Sequence, residues 1–171
     1  MASKDGYIGR WTLPQFHVIN ESIVDELIQY QCLDYFHDET AGDINQLVLA
    51  GAHKDPAGPP GLDTLKVVKM LNSKDVPIKE IYDGESFDAI GKLTQVKYIN
   101  YNQKIQGVIA STDKGSVQIL NNYNNFQFDR NFEFTAHYGP VTQMAISPDN
   151  QHLFTAGQDG TLMIWNVGEY M

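Results

Sequence analysis

The run Gly160-Thr161-Leu162-Met163-Ile164-Trp165 has a counterpart 45 positions earlier, Gly115-Ser116-Val117-Gln118-Ile119-Leu120. The apolar stretches upstream correspond as well, Leu153 to Ala156 over Val108 to Ser111. Thr64 to Val68 follows Leu47 to Gly51 in the same way, and Asp5 stands six positions before Trp11 as Asp159 stands before Trp165. One unit therefore ends at Trp11, Val68, Leu120 and Trp165, at intervals of 57, 52 and 45. The longest interval contains KDPAGPPGLD, Lys54 to Asp63. Proline removes a strand donor and glycine packs no side chain, so this insertion reads as a loop. Without it the unit approaches the ~40–45 residues of a four-stranded repeat. A repeat of that size buries its faces only by stacking on its neighbours.

The local patterns within the unit are those of strands. Val141-Thr142-Gln143-Met144-Ala145-Ile146 alternates ahead of a turn at Ser147-Pro148-Asp149-Asn150. His152 to Ala156 is a second run, Gln158-Asp159-Gly160 is a hairpin signal, and Thr161 to Val167 is a third run. An outer strand precedes each unit, at Phe126 to Thr135, Ile78 to Tyr82 and Phe16 to Asn20. Glu21 to Tyr35 also fits a short amphipathic helix, but the repeat register favours a strand over Ile28 to Phe36. The repeat units fall at about 1–12, 13–69, 70–121 and 122–167, within one region spanning 1–171.

Residues 136–166 resemble a WD40 repeat. Ala136-His137 stands at the usual Gly-His, Thr155-Ala156-Gly157 at the usual Ser-Gly-Ser, and Trp165-Asn166 at the usual Trp-Asp. The other repeats match in register and strand pattern, with Lys114 at the turn aspartate and Leu120 at the tryptophan. The resemblance implies an all-β fold, a partial WD40 β-propeller of two complete four-stranded blades and two incomplete ones. Strands from outside the chain are expected to close it, because ten residues before Trp11 and the stretch after Val167 are too short to finish their blades. The resemblance also implies a hydrogen-bond network in which Asp159 accepts from His137, His137 reaches Thr155, and Thr155 meets the indole of Trp165. Such a network is favourable only when every buried member is satisfied, so these four residues are expected to be structural.

At a finer level, ASTDKGSVQIL and FEFTAHYGPVTQMAISPDNQHLFTAGQDGTLMIW resemble the propeller region of the cilia- and flagella-associated WD-repeat proteins. That resemblance implies an axonemal scaffold, with dynein, dynein-regulatory or tubulin-associated partners, in the cytoplasm and cytoskeleton of the cilium. A neighbouring propeller segment is expected as a further partner.

The formal charge of −9 opposes nucleic acid or an anionic membrane as the main partner, since both require a basic face. The single cysteine, Cys32, can form neither an internal disulfide nor a multi-cysteine metal site. No apolar window reaches the ~18 residues of a spanning helix, and MASKDGYIGRW carries no secretory pattern, so a reducing intracellular setting is expected.

Motifs for catalysis are missing. There is no Gly-x-Ser-x-Gly and no His-Glu-x-x-His. Gly84 to Leu93 mimics a phosphate loop but has six residues between its glycines, and Leu93 where magnesium binding needs a hydroxyl. Asp34 to Glu39 gathers carboxylates about His37, yet the register places His37 to Thr40 in a turn. Pro56 to Pro59 fits a PxxP ligand, with a hairpin loop as the plainer reading. The chain is therefore expected to be no enzyme, with no cofactor, no metal and no catalytic residue. It should bind proteins through loops on a rigid sheet scaffold. The candidate contact residues are His53, Lys54, Asp55, Pro59, Pro60 and Asp63 of the insertion, together with Tyr138, and the insertion is expected on the same face as His137 and Asp159. Two other readings stay open: a WD40 adaptor in ubiquitin ligation or signalling, and a propeller enzyme with a carboxylate-lined mouth.

Overall fold

The structure is a computed structural model that describes residues 7–11, 18–23, 28–38, 44–53, 63–71, 79–83, 91–101, 104–124 and 127–170. Thirteen strands occupy most of them: β1 Tyr7–Trp11, β2 Val18–Ile23, β3 Ile28–Asp38, β4 Ile44–His53, β5 Asp63–Leu71, β6 Lys79–Asp83, β7 Leu93–Tyr101, β8 Lys104–Thr112, β9 Ser116–Asn124, β10 Gln127–Thr135, β11 Val141–Ile146, β12 His152–Gly157 and β13 Leu162–Asn166. A short 3-10 turn, Gly168–Tyr170, follows, and there is no α-helix among the described residues. Ile28 to Phe36 is strand, as the repeat register required, and the helical alternative fails: Glu21 to Ile23 belongs to β2. Ten of the eleven residues of β3 pair antiparallel along β4, so burial between neighbouring sheets overrides the weak helical period.

The strands form a β1-β2 pair, two four-stranded sheets in the orders β3-β4-β5-β6 and β7-β8-β9-β10, and a three-stranded sheet β11-β12-β13. All pairings are antiparallel meanders between consecutive strands. Among the described residues these are two four-stranded blades, one three-stranded and one two-stranded, of a partial propeller. The innermost strands β3 and β11 both pack against β7.

One reading of the turns needs correction. His37 and Asp38 lie inside β3, paired with Asn45 and Ile44, where a turn at His37 to Thr40 was expected. β3 runs past the corresponding strand end in the β11–β13 sheet, because its ladder to β4 continues unbroken through Asp38. The connection falls at 39–43, outside the described residues. Residues 84–90 of the phosphate-loop mimic lie outside them too, while Gly91 and Lys92 lead into β7 and Leu93 is fully buried at its start. The PxxP stretch also lies outside the described residues, and with it most of the Lys54 to Asp63 insertion.

The core between the last two blades follows from period-2 alternation. Ile109, Val117 and Ile119 meet Val141, Met144, Leu153 and Val167 in one buried cluster. Each aliphatic side chain fully removed from water contributes about 1.5–3 kcal/mol. Aromatic rings close the outer side: Phe132 stacks on Tyr170 at 4.2 Å, and Phe134 leans on Trp165 at 4.6 Å. The opposite face of β13 is open, with Leu162 69% and Ile164 62% exposed, whereas their repeat equivalents Val117 and Ile119 are fully covered by the next sheet.

Between the two complete blades the contact is partly polar. Asp34 on β3 accepts the Tyr98 backbone N–H at 2.8 Å and pairs with Lys97 Nζ at 3.2 Å. Phe36 meets Tyr98 edge-on, with ring centroids 6.2 Å apart. Burial, and then the Asp34 carboxylate, hold the Tyr98 phenol above its ordinary range.

Candidate functional site

His137 sits in the loop that enters β11, and a pair of backbone bonds fixes it there. The amides of Ala136 and His137 both donate to the carbonyl of Gly115, at 2.8 and 3.1 Å. Gly115, at φ 84° in the β8–β9 turn, brings its backbone close beneath the loop: a Cβ there would lie 2.0 Å from the His137 carbonyl oxygen. The β12–β13 hairpin closes from the other side, with Gln158 N–H donating to Pro140 O at 2.9 Å and Gly160 supplying the left-handed residue at φ 79°.

Within this frame the sheet brings His137, Thr155, Asp159 and Trp165 together. The indole Nε1–H of Trp165 donates to Thr155 Oγ1 at 2.9 Å. Thr155 Oγ1 lies 2.8 Å from His137 Nε2, and His137 Nδ1 lies 3.2 Å from Asp159 Oδ1 and 2.8 Å from Thr161 Oγ1. For a neutral imidazole, donors and acceptors balance in one way. A carboxylate only accepts, so Nδ1 carries the proton and shares it between Asp159 and Thr161. Nε2 then accepts from the Thr155 hydroxyl, whose oxygen is left to receive the indole N–H. The Thr161 hydroxyl passes its own proton to Asp159 Oδ1 at 2.7 Å. Thr155 is fully buried and His137 is 3% exposed, so each of these atoms depends on its partner rather than on water.

Thr161 is the member that sequence reasoning missed. Its signal was present in Asp159-Gly160-Thr161, because an aspartate two positions before a hydroxyl residue favours a local turn. Asp34, the inter-blade partner of Lys97 and Tyr98, was read only as one of the carboxylates gathered about His37. The equivalent positions in the β7–β10 sheet dispense with the network altogether. Ala110 and Leu120 stand where Thr155 and Trp165 stand, both buried, and Lys92 takes the place of His137. Asp113 there accepts the Lys92 N–H at 2.9 Å. Replacing both members of a polar pair by apolar groups is close to neutral, so a degenerate repeat can share the fold.

Asp159 is held at a pKa of about 2 by hydrogen bonds from the Thr161 hydroxyl and amide, then from the Tyr138 amide, with His137 adding to the shift. Its folded value lies below the ~3.9 of a free aspartate. The stabilisation is therefore complete above the free value and lost as pH falls from about 4 towards 2. Thermal melts should show wild type losing its advantage over Asp159→Asn across that interval. A constant difference down to pH ~2 would show that the carboxylate is not engaged.

Trp165→Phe is expected to lower stability by about 1–3 kcal/mol, since the ring packing on Phe134 largely survives but the indole donor to Thr155 does not. An unchanged melting temperature would show the network to be unformed.

The contact candidates divide. Tyr138 is fully exposed at 103%, while its amide is anchored to Asp159 Oδ2 at 3.1 Å. His53 ends β4 and Asp63 begins β5, with Ala52 paired to Asp63, so the insertion occupies the same hairpin position as Asp113–Gly115 and Gln158–Gly160. Lys54, Asp55, Pro59 and Pro60 lie outside the described residues. Among the described residues no group of three or more His, Cys, Asp or Glu side chains gathers as a metal would need.

Comparison with known proteins agrees with this geometry. Residues 128–166 match the family model described as WD domain, G-beta repeat. The chain is 31% identical over 108 residues to cilia- and flagella-associated protein 57 of Mus musculus, an alignment covering 60% of this chain and 8% of that protein. It is 27% identical over 108 residues to cilia- and flagella-associated protein 57 A of Tetrahymena thermophila, covering 63% of this chain and 7% of that protein. Both alignments thus span less than a tenth of the relatives' length. Residues 128–166 are a WD40 repeat, set in a chain similar over part of its length to cilia- and flagella-associated protein 57.

Proposed function

We propose that this chain is a non-enzymatic protein-interaction scaffold in a ciliary axonemal complex, contacting inner dynein arms or their regulators. The scaffold reading is carried by Tyr138: a fully exposed aromatic on a loop whose backbone is bonded to both flanking turns. A large side chain presented by a rigid loop loses little entropy on binding, which suits it to be an interface anchor. The polar residues beneath it, His137, Thr155, Asp159 and Trp165, serve to hold that loop. The insertion between β4 and β5, with His53, Lys54, Asp55, Pro59, Pro60 and Asp63, is the second contact element of this reading. The ciliary setting rests on the similarity to cilia- and flagella-associated protein 57.

The test is fractionation of ciliated cells carrying the tagged full-length protein, wild type or Tyr138→Ala. Wild type should stay with detergent-extracted axonemes and label dynein-arm or dynein-regulatory components in proximity labelling. Tyr138→Ala should be released or lose those neighbours at unchanged thermal stability. Quantitative extraction of wild type with soluble proteins, and labelling of no axonemal component, would overturn the reading.

A further inference from the structure

We propose that Lys92, Lys114 and Tyr138 form a docking rim for an extended acidic segment of a partner protein. The inference deepens the scaffold reading and rests on it. All three residues are exposed. They come from different elements, the entry to β7, the β8–β9 turn and the entry to β11, yet the backbone brings them to one edge. Lys92 and Asp113 exchange two bonds, Asp113 N–H donating to Lys92 O at 2.8 Å and Lys92 N–H donating to Asp113 Oδ1 at 2.9 Å. A Cβ on Gly91 would lie 2.6 Å from Lys114 Cγ, so the two lysine-bearing segments touch. Gly115, next to Lys114, accepts the His137 amide and would meet the Gly139 carbonyl at 2.8 Å if it carried a Cβ, so the same turn supports Tyr138 from below.

The charges decide the class of partner. The chain holds 12 lysines and arginines against 21 aspartates and glutamates, so free cations grouped at one edge are against its overall balance. Two carboxylates flank the rim and keep their charge, but each is turned to other donors and forms an ion pair with neither lysine. Asp113 Oδ1 accepts the Lys92 amide, and Asp159 accepts from Thr161, Tyr138 and His137. Lys97, by contrast, is already paired with Asp34. Among the described residues no ion pair engages Lys92 or Lys114, so two exposed lysines and an exposed tyrosine share the edge that the Gly115 turn joins. A segment with carboxylates flanking an apolar side chain satisfies both: the carboxylates meet the lysines and the apolar group covers the ring. The rim is prepaid in backbone hydrogen bonds, so binding orders only side chains.

The test is fluorescence anisotropy of the full-length protein with a short fluorescein-labelled peptide of glutamates around a central leucine pair. Control peptides carry glutamine or lysine in place of glutamate. The glutamate peptide should bind, more weakly as salt rises through the range that screens exposed charges. Lys92→Glu with Lys114→Glu should cut its affinity at least about tenfold with an unchanged melting temperature, Lys→Arg at both positions should retain it, and Tyr138→Ala should weaken it. Absence of binding, equal binding of the glutamine or lysine peptide, or full binding by the double glutamate variant would each overturn the proposal. If Tyr138→Ala releases the protein from axonemes while the lysine variants do not, the scaffold reading stands and the acidic partner falls.

Discussion

Gly157→Ala should lower the melting temperature by about 6–12 °C, the response of a chain of this size to a loss of about 3 kcal/mol. The added methyl would lie 2.4 Å from His137 Nδ1, 2.5 Å from its Cγ and 2.6 Å from Asp159 Oδ1. Those are a buried ring and a carboxylate held by several donors, and neither has room to give. The ring cannot swing away with its backbone, since the Ala136 and His137 amides are tied to Gly115 O. It must leave its slot, which orphans the buried Thr155 hydroxyl and the imidazole's own nitrogens, while the exposed Asp159 keeps its other donors. Orphaned buried polar groups cost about 1–3 kcal/mol each, and overpacking adds to this. Gly160→Ala is the control. Its φ of 79° is left-handed, but nothing lies within 4 Å of the added Cβ, so only the backbone term of about 1–2 kcal/mol applies. Gly157→Ala should therefore be the worse of the two in a thermal melt. The reverse order would mean that His137 moves freely and that the loop is not held as described.

The parts of the fold legible in the sequence were those that repeat. The offset of 45 residues placed β8 under β12 and β9 under β13, because positions facing the same neighbouring sheet demand the same apolar character. The hairpin at Asp159-Gly160 was legible for a local reason, since few residues accept its backbone angles. The bulges were not legible. Register shifts between Tyr30 and Cys32, between Ile99 and Asn100 and between Val141 and Gln143 answer to the twist of each blade against its neighbours. No side chain announces them. The length of β3 escaped for a related reason: Asp38 is a poor strand residue, and only its pairing with Ile44 keeps the ladder going. The four polar residues of the last repeat could be named from family resemblance. Thr161 could not, because its role is set by how the hairpin folds over His137. The rim at Lys92 and Lys114 was invisible for the same reason, since those residues are 22 apart in sequence and meet only through the Asp113 turn.

Thr155→Val should cost about 2–5 kcal/mol although valine nearly matches threonine in shape. The hydroxyl is the central link between two sheet edges, accepting the indole N–H of Trp165 and facing His137 Nε2 at 2.8 Å. Thr155 is fully buried, so no water replaces it. The substitution leaves an indole donor and an imidazole acceptor unpaired together. Combining it with Trp165→Phe removes one of those orphans, so the double variant should be less destabilised than the sum of the singles, by on the order of 1 kcal/mol. The β7–β10 sheet provides the precedent, since Ala110 and Leu120 at the equivalent positions are buried with no polar atom between them. Urea melts of wild type, both singles and the double give the coupling directly. Additivity within about 0.5 kcal/mol would mean that Thr155 and Trp165 do not share a hydrogen bond, and the proton order from the indole to Asp159 would have to be abandoned.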